Sequence, residues 1–166
     1  MGVDKGGLEW AGVRAIDRLA NLAVELGIQP LIVAGRDYGL PFVCDPYPEA
    51  GPVAGLLAAF EALRVQGVRT ALVLAVDAPT LSPHDLEPLL AMPDPGAAYD
   101  GLPLPMVIAL DAVPPGLDGK VPLRWLVDQA GLAILPCPDE ARTRLRGANT
   151  PAERAALFGP PEAPAP

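Results

Sequence analysis

The chain has 166 residues, of which 51% are hydrophobic and 19% charged, and its formal net charge is -8. This length suits one domain with a substantial core. The acidic balance, without a basic patch, excludes a nucleic-acid backbone as partner. No apolar run approaches the roughly 20 residues of a membrane span and no signal-peptide pattern is present, so we expect a cytoplasmic protein without membrane contact.

The first part of the chain alternates predicted helices and strands. Apolar residues at helical spacing predict an amphipathic helix over residues 12–27, with Gly27 as its C-cap. Short apolar segments at 30–35 and 40–45 predict strands, and a second helix follows from Gly55. This alternation is typical of βαβ units and a parallel sheet.

Residues 70–80, TALVLAVDAPT, contain the clearest strand. The unbroken apolar run over 71–76 predicts a central strand buried on both faces of a parallel sheet. The run stops at Asp77, at the edge where open α/β sheets place their ligands. A buried carboxylate needs a metal ion or hydrogen-bond donors, although an Asp that only caps the turn fits equally well.

The second half is less regular. A helix over 81–90 begins with a capping box of Ser82 and Asp85. The further predicted elements are strands at 97–99, 105–110 and 133–135, a helix over 121–131 with Trp125 and Leu126 on its buried side, and a last helix from Thr150. We expect one domain over residues 1–158 and a flexible proline-rich tail over 159–166.

Three further places in the chain are candidates for a site, each with an ordinary structural alternative. Lys5 lies between small residues near the N-terminus. It is a candidate site residue, and the alternative is an ordinary exposed lysine. Asp45 ends a strand and leads to Gly51 and Gly55. The small glycines let backbone N–H groups approach a phosphate or a base edge, or they are needed only for a tight connection between strand and helix. Asn149 directly precedes the last predicted helix. Its side-chain amide either binds a ligand there or only closes a turn. Cys44 and Cys137 lack the spacing of a zinc site or disulfide framework.

The series MGVDK, D-x5-GPVAG, LVLAVDAPTLSP and ANTPAE resembles the molybdenum cofactor guanylyltransferases, the MobA family, in the right order from Met1 to about Phe158. The resemblance implies an α/β, three-layer Rossmann-like nucleotidyltransferase fold with a mostly parallel sheet. It also implies transfer of GMP from GTP to molybdopterin with Mg²⁺, and other molybdenum cofactor proteins as further partners.

The resemblance also implies roles for single residues. Asp77 takes the place of the Mg²⁺-binding aspartate, and Lys5 that of the lysine near the triphosphate. Asp45 takes the place of a nucleotide-contacting aspartate, while Gly51 and Gly55 fall on the glycines of the nucleotide-binding loop. Asn149 matches the second asparagine of the NxNTP motif.

The chain departs from the family pattern in three places. It begins at the MG of an LAGGxSxRMG loop, so we expect a shortened form whose first strand is missing, with the strands at 30–35 and 70–76 facing a gap. Gly147 replaces the first Asn of NxNTP, and Gly35 replaces an Asn that contacts the nucleotide. The alternatives are therefore a non-catalytic nucleotide-binding relative, or a nucleotidyltransferase that uses CTP or another acceptor.

Overall fold

The structure, a computed structural model, describes residues 4–45 and 51–146. Asn149, the predicted last helix, the domain boundary at residue 158 and the predicted tail over 159–166 lie outside these residues. Of the helices in the two described ranges, none combines the length and apolar character needed to cross a membrane.

The N-terminal part differs from prediction at its start. A short antiparallel hairpin of β1 (Glu9–Trp10) and β2 (Val13–Arg14) precedes helix α1 (Ala15–Glu25). The predicted helix therefore begins three residues late. It ends at Glu25, two residues before the predicted end, and its C-cap is Leu26 rather than Gly27. Gly27 follows directly with a left-handed φ of 68°, and its N–H bonds to Val24 O.

Two predicted strands form a small parallel sheet, β3 (Val33–Gly35) with β4 (Phe42–Cys44). Helix α2 (Pro52–Val65) contacts both strands, and its first residue is a proline, whose missing N–H is not needed there. This unit carries Asp45 at the end of β4 and Gly55 in the first turn of α2.

The main sheet has the order β5 (Thr70–Val73), β7 (Leu102–Ala109), β6 (Gly96–Tyr99), β8 (Ala133–Leu135). β5 and β6 both pair antiparallel with β7, and β8 pairs parallel with β6. Three strands thus share one direction and β7 opposes them. The α/β class is confirmed, but the expectation that β5 is central is wrong within the described residues, where β5 lies at an edge of this sheet.

The main sheet lies between two helical layers. Met106 and Ile108 of β7 pack in a cluster with Phe60 of α2 and with helix α4 (Leu123–Gln129). Val107, between them, faces a second cluster formed with α1, α3 (Pro83–Leu90) and α5 (Asp139–Arg146). Alternate residues of one strand therefore serve opposite faces, which is the three-layer arrangement predicted.

Two details of the second half differ from prediction. Trp125 was expected on the buried side of α4, but it is 39% exposed, whereas Leu126 is fully buried as predicted. α5 was not predicted, because six of its eight residues are polar or charged and give little apolar periodicity. Ala141 and Leu145 supply its buried contacts.

An apolar cleft of about 190 Å³ separates β3 from β5. Ile16 and Leu19 of α1 and Phe60 of α2 line it together with residues of both strands. Within the described residues, β3 and β5 each pair with a strand on one side only. This is the gap that the sequence predicted between the strands at 30–35 and 70–76.

Candidate functional site

Lys5 and Asp77 lie together in the structure although they are 72 positions apart in the sequence. Lys5 Nζ donates a hydrogen bond to Asp77 Oδ2 over 3.1 Å, and the two side chains are 41% and 25% exposed. The sequence singled out each residue separately. The fold brings the cation and the carboxylate into one partly exposed pair, with Asp77 in the turn four residues after the end of β5.

Buried neighbours fix the turn that carries Asp77. Ala78 is 1% exposed and its N–H bonds to Ala75 O over 3.0 Å. Arg18 of α1 donates to Pro79 O at 3.3 Å and to Trp10 O at 3.2 Å, which ties the turn to the N-terminal hairpin. The carboxylate therefore projects from a turn that is held on both sides.

The N-terminal segment around Lys5 is anchored through Asp4. Its carboxylate accepts hydrogen bonds from the Tyr38 hydroxyl, from Arg36 Nη1 at 2.9 Å and from Gly7 N at 3.4 Å. The Tyr38 hydrogen bond, aided by Gly7 and Arg36 and opposed by partial burial, holds the pKa of Asp4 below its usual value. The sequence analysis missed Asp4, Arg36 and Tyr38, and the only local signal was that Asp4 adjoins Lys5.

Asp45 forms a second group with two glycines. A Cβ on Gly55 would lie 2.8 Å from Asp45 Oδ1, and a Cβ on Gly35 would lie 3.8 Å from Oδ2. Asp45 itself is exposed. The two glycines therefore leave room for a carboxylate that faces solvent above the start of α2. Gly35, first noted only as a departure from a family pattern, borders this group.

Gly51 is not in that contact. It is the N-cap of α2 with a φ of 83°, a conformation that L side chains rarely adopt, and a Cβ there would lie 3.5 Å from Gly119 O. Its backbone geometry alone explains the glycine. Asn149 lies outside the described residues.

The donor set at Asp77 suits one kind of metal binding. Within residues 4–45 and 51–146, no group of three or more His, Cys, Asp or Glu side chains converges as a metal site would require. A single carboxylate such as Asp77 fits a magnesium ion that takes its other ligands from substrate phosphates and water.

A curated relative from Opitutus terrae, a "Probable molybdenum cofactor guanylyltransferase", is 34% identical over 87 residues, which is 49% of this chain and 43% of the relative. The alignment thus spans less than half the length of that relative.

Two solved structures have a similar fold. The protein Aq1419 from Aquifex aeolicus VF5 superimposes with a TM-score of 0.63 at 20% identity, over 82% of this chain and 79% of that one. Molybdopterin-guanine dinucleotide biosynthesis protein A from Archaeoglobus fulgidus gives a TM-score of 0.60 at 18% identity, over 94% and 89%. At these identities the likeness concerns the fold. The model of the MobA-like NTP transferase domain matches residues 1–105, which include Lys5, Asp45 and Asp77, and the chain therefore belongs to the MobA-like NTP transferase family.

Proposed function

We propose that this chain is a Mg²⁺-dependent nucleotidyltransferase that transfers GMP from GTP to molybdopterin. Membership of the NTP transferase family supports the reaction class. The names of the Opitutus and Archaeoglobus proteins support molybdopterin and a guanine nucleotide as substrates. The observation that carries the proposal is the Lys5–Asp77 pair, which places a cation beside a carboxylate that could bind a metal ion.

The reaction is a displacement at phosphorus. A terminal phosphate oxygen of molybdopterin forms a bond to the α-phosphorus of GTP, while the bond from that phosphorus to pyrophosphate breaks. Such a transfer needs positioning and charge neutralisation more than a covalent nucleophile on the protein. Lys5 supplies a fixed positive charge for the triphosphate, and Asp77 is the residue that would hold Mg²⁺. The bound Mg²⁺ would neutralise part of the phosphate charge.

Asp45, Gly35 and Gly55 are proposed as the nucleoside side of the site. An exposed carboxylate that faces solvent between two glycines is open to hydrogen bonds from the N–H groups of a base or the hydroxyls of a ribose. Gly51 and Asn149 are proposed as further nucleotide-binding residues. Gly35 stands where the guanylyltransferases carry an asparagine that contacts the nucleotide. The preferred base must therefore be determined by experiment.

The proposal is tested by removing the charge of Lys5 and, as a control, that of Arg69, which directly precedes β5. Lys5→Met is expected to lower Mg²⁺-dependent formation of the guanine dinucleotide by about a hundredfold or more, since it removes one charge that stabilises the transition state. Arg69→Met removes an exposed cation at the end of β5 opposite to Asp77 and is expected to leave the rate unchanged.

The same assay run with CTP in place of GTP decides the nucleotide. Faster transfer from CTP would assign a cytidylyl transferase instead. Equal turnover of the Lys5→Met variant and the unmodified chain would reject the assignment of Lys5. The absence of transfer and of any nucleotide-dependent change in melting temperature would favour the non-catalytic alternative.

A further inference from the structure

The loop that follows β3 holds the segment that carries Lys5. Asp4, immediately before Lys5, receives hydrogen bonds from two residues of this loop, the Tyr38 hydroxyl and Arg36 Nη1. The Asp4 carboxylate also accepts a hydrogen bond of 3.4 Å from the backbone N–H of Gly7, two residues beyond Lys5. One carboxylate therefore links the loop to the backbone on both sides of the lysine.

Tyr38 also packs against the residue that follows Lys5. A Cβ on Gly6 would lie 2.6 Å from Tyr38 Oη and 2.7 Å from Tyr38 Cζ, so the ring lies directly on the Gly6 backbone. Gly6 O accepts the N–H of Ile16 at 3.1 Å, at the start of α1. Any side chain at position 6 would push the ring away.

The loop is itself anchored. Arg14 Nη2 donates to Tyr38 O at 3.2 Å, and Arg14 is paired with Asp17 of α1 at 2.6 Å. Burial and the neighbouring carboxylate of Asp4 raise the pKa of Tyr38, so its hydroxyl stays protonated and remains the donor at neutral pH. The contact is thus a hydrogen bond from a neutral hydroxyl to a charged acceptor, one of the stronger kinds.

From these contacts we infer that Asp4 and Tyr38 are positioning residues for Lys5, which set where its ammonium group lies relative to Asp77. Neither residue is assigned to touch the substrate. The inference rests on the proposed function for the role of Lys5, but the contacts that carry it do not depend on that role. The loop begins directly after Gly35, which borders Asp45, so it connects the proposed nucleoside side of the site with the proposed phosphate side.

The kinetic test uses Tyr38→Phe, which removes only the hydroxyl, and Tyr99→Phe as matched control. Tyr99 also donates its hydroxyl to a single acceptor, Asp85 O at 2.9 Å, in a buried place away from Lys5. Tyr38→Phe is expected to lower kcat for nucleotidyl transfer about tenfold, with a smaller change in KM, because a displaced charge acts mainly on the transition state. Tyr99→Phe is expected to leave kcat unchanged.

Combining variants separates positioning from general stability. In a chain that already carries Lys5→Met, Tyr38→Phe is expected to cause no further loss of kcat, since the group it positions is gone. A full additional tenfold loss in that background would overturn the inference.

A second measurement does not need activity. Acylation of the lysine amines, followed by mass spectrometry, gives the rate at Lys5 with Lys120 as an internal reference. Both Tyr38→Phe and Asp4→Asn are expected to raise the rate at Lys5 by about threefold or more, because they loosen the local structure around it. An unchanged ratio of the two rates in both variants would overturn the inference. If Lys5→Met keeps full transfer activity, the proposed function fails, while the acylation ratio still decides the positioning role.

Discussion

Arg144 of α5 and Asp85 of α3 form a bidentate ion pair, with Nη2–Oδ1 at 2.6 Å and Nε–Oδ2 at 3.0 Å. The Asp85 side chain is 1% exposed and that of Arg144 is 36% exposed. Asp85 also accepts the N–H and hydroxyl of Ser82 at 2.9 and 2.8 Å, which closes the predicted capping box of α3. The buried Asp85 carboxylate thus caps α3 and also holds α5 against it. Of these two helices, α5 was not predicted from the sequence.

Replacing Arg144 is expected to be costly, because it leaves a charged and buried carboxylate with only part of its partners. We expect Arg144→Met to lower the free energy of unfolding by about 2–3 kcal/mol. Arg142→Met is the control on the same helix, since the contact of Arg142 with Asp139 at 3.9 Å is exposed, and it should change stability by less than about 0.5 kcal/mol. Urea unfolding measures both. Equal effects of the two substitutions would contradict a special role for the Asp85 pair.

The same pair gives stability a pH dependence. Burial raises the pKa of Asp85, but hydrogen bonds from Arg144 and Ser82 and the charge of Arg144 outweigh it, and the pKa lies below its usual value. Since the pKa is lower in the folded than in the unfolded chain, the stabilisation is fully present above about pH 4 and is lost as pH falls through the folded value. The difference in unfolding free energy between the unmodified chain and Asp85→Asn should therefore shrink below about pH 4. A difference that stays constant down to pH 2.5 would show that the charge of Asp85 contributes nothing.

Asp77→Asn is expected to abolish Mg²⁺-dependent transfer while leaving the fold intact, because it removes a charge at nearly constant shape. Asp77 is partly exposed, so the melting temperature should change little. Asp128→Asn, at an exposed position of α4, is the control and should keep full activity. Measuring the rate against Mg²⁺ concentration checks the assignment. Normal turnover with normal Mg²⁺ dependence in Asp77→Asn would remove Asp77 from the site.

Gly55→Ala is expected to weaken nucleotide binding by moving Asp45. The added Cβ would lie 2.8 Å from Asp45 Oδ1, and this exposed carboxylate can rotate away at little cost in stability. We expect roughly a tenfold rise in the dissociation constant for GTP and a small change in melting temperature. In an Asp45→Ala background the same substitution should have little further effect on affinity. A similar loss in both backgrounds would mean that Gly55 acts without Asp45.

Local patterns predicted the elements well and their pairing less well. The strand at 133–135 has the predicted bounds, and the strand at 70–73 ends three residues before the predicted end of its apolar run. The direction of β7 was missed, because an apolar run reads the same whether its partner is parallel or antiparallel. The hairpin before α1 was missed because its strands are only two residues long.

The candidate site shows the same limit. Lys5, Asp45 and Asp77 were singled out from the sequence because each carries a charge beside small residues or at the end of an apolar run. Nothing local indicated that Tyr38 contacts Asp4, since that contact joins residues 34 positions apart through a loop without a repeating pattern. Contacts of this kind depend on how the elements pack and are visible only in the folded chain.

The cleft between β3 and β5 allows two linked predictions. Ala20 of α1 lines this cleft and is half-buried, whereas Val24 of the same helix is 61% exposed. Ala20→Leu should place additional apolar surface in the cleft and raise the unfolding free energy by about 1 kcal/mol, which corresponds to roughly 2–4 °C in Tm for a domain of this size. Val24→Leu, the control, should leave Tm unchanged.

A designed apolar strand joined to the N-terminus tests the same cleft from the other side. Two strand edges and an apolar lining would accept such a strand, so the lengthened chain should melt at a higher temperature than the chain of 166 residues. In the lengthened chain, Ala20→Leu should lower Tm, because the larger side chain and the added strand need the same volume. If Ala20→Leu raises Tm by the same amount in the original and the lengthened chain, the added strand does not occupy the cleft.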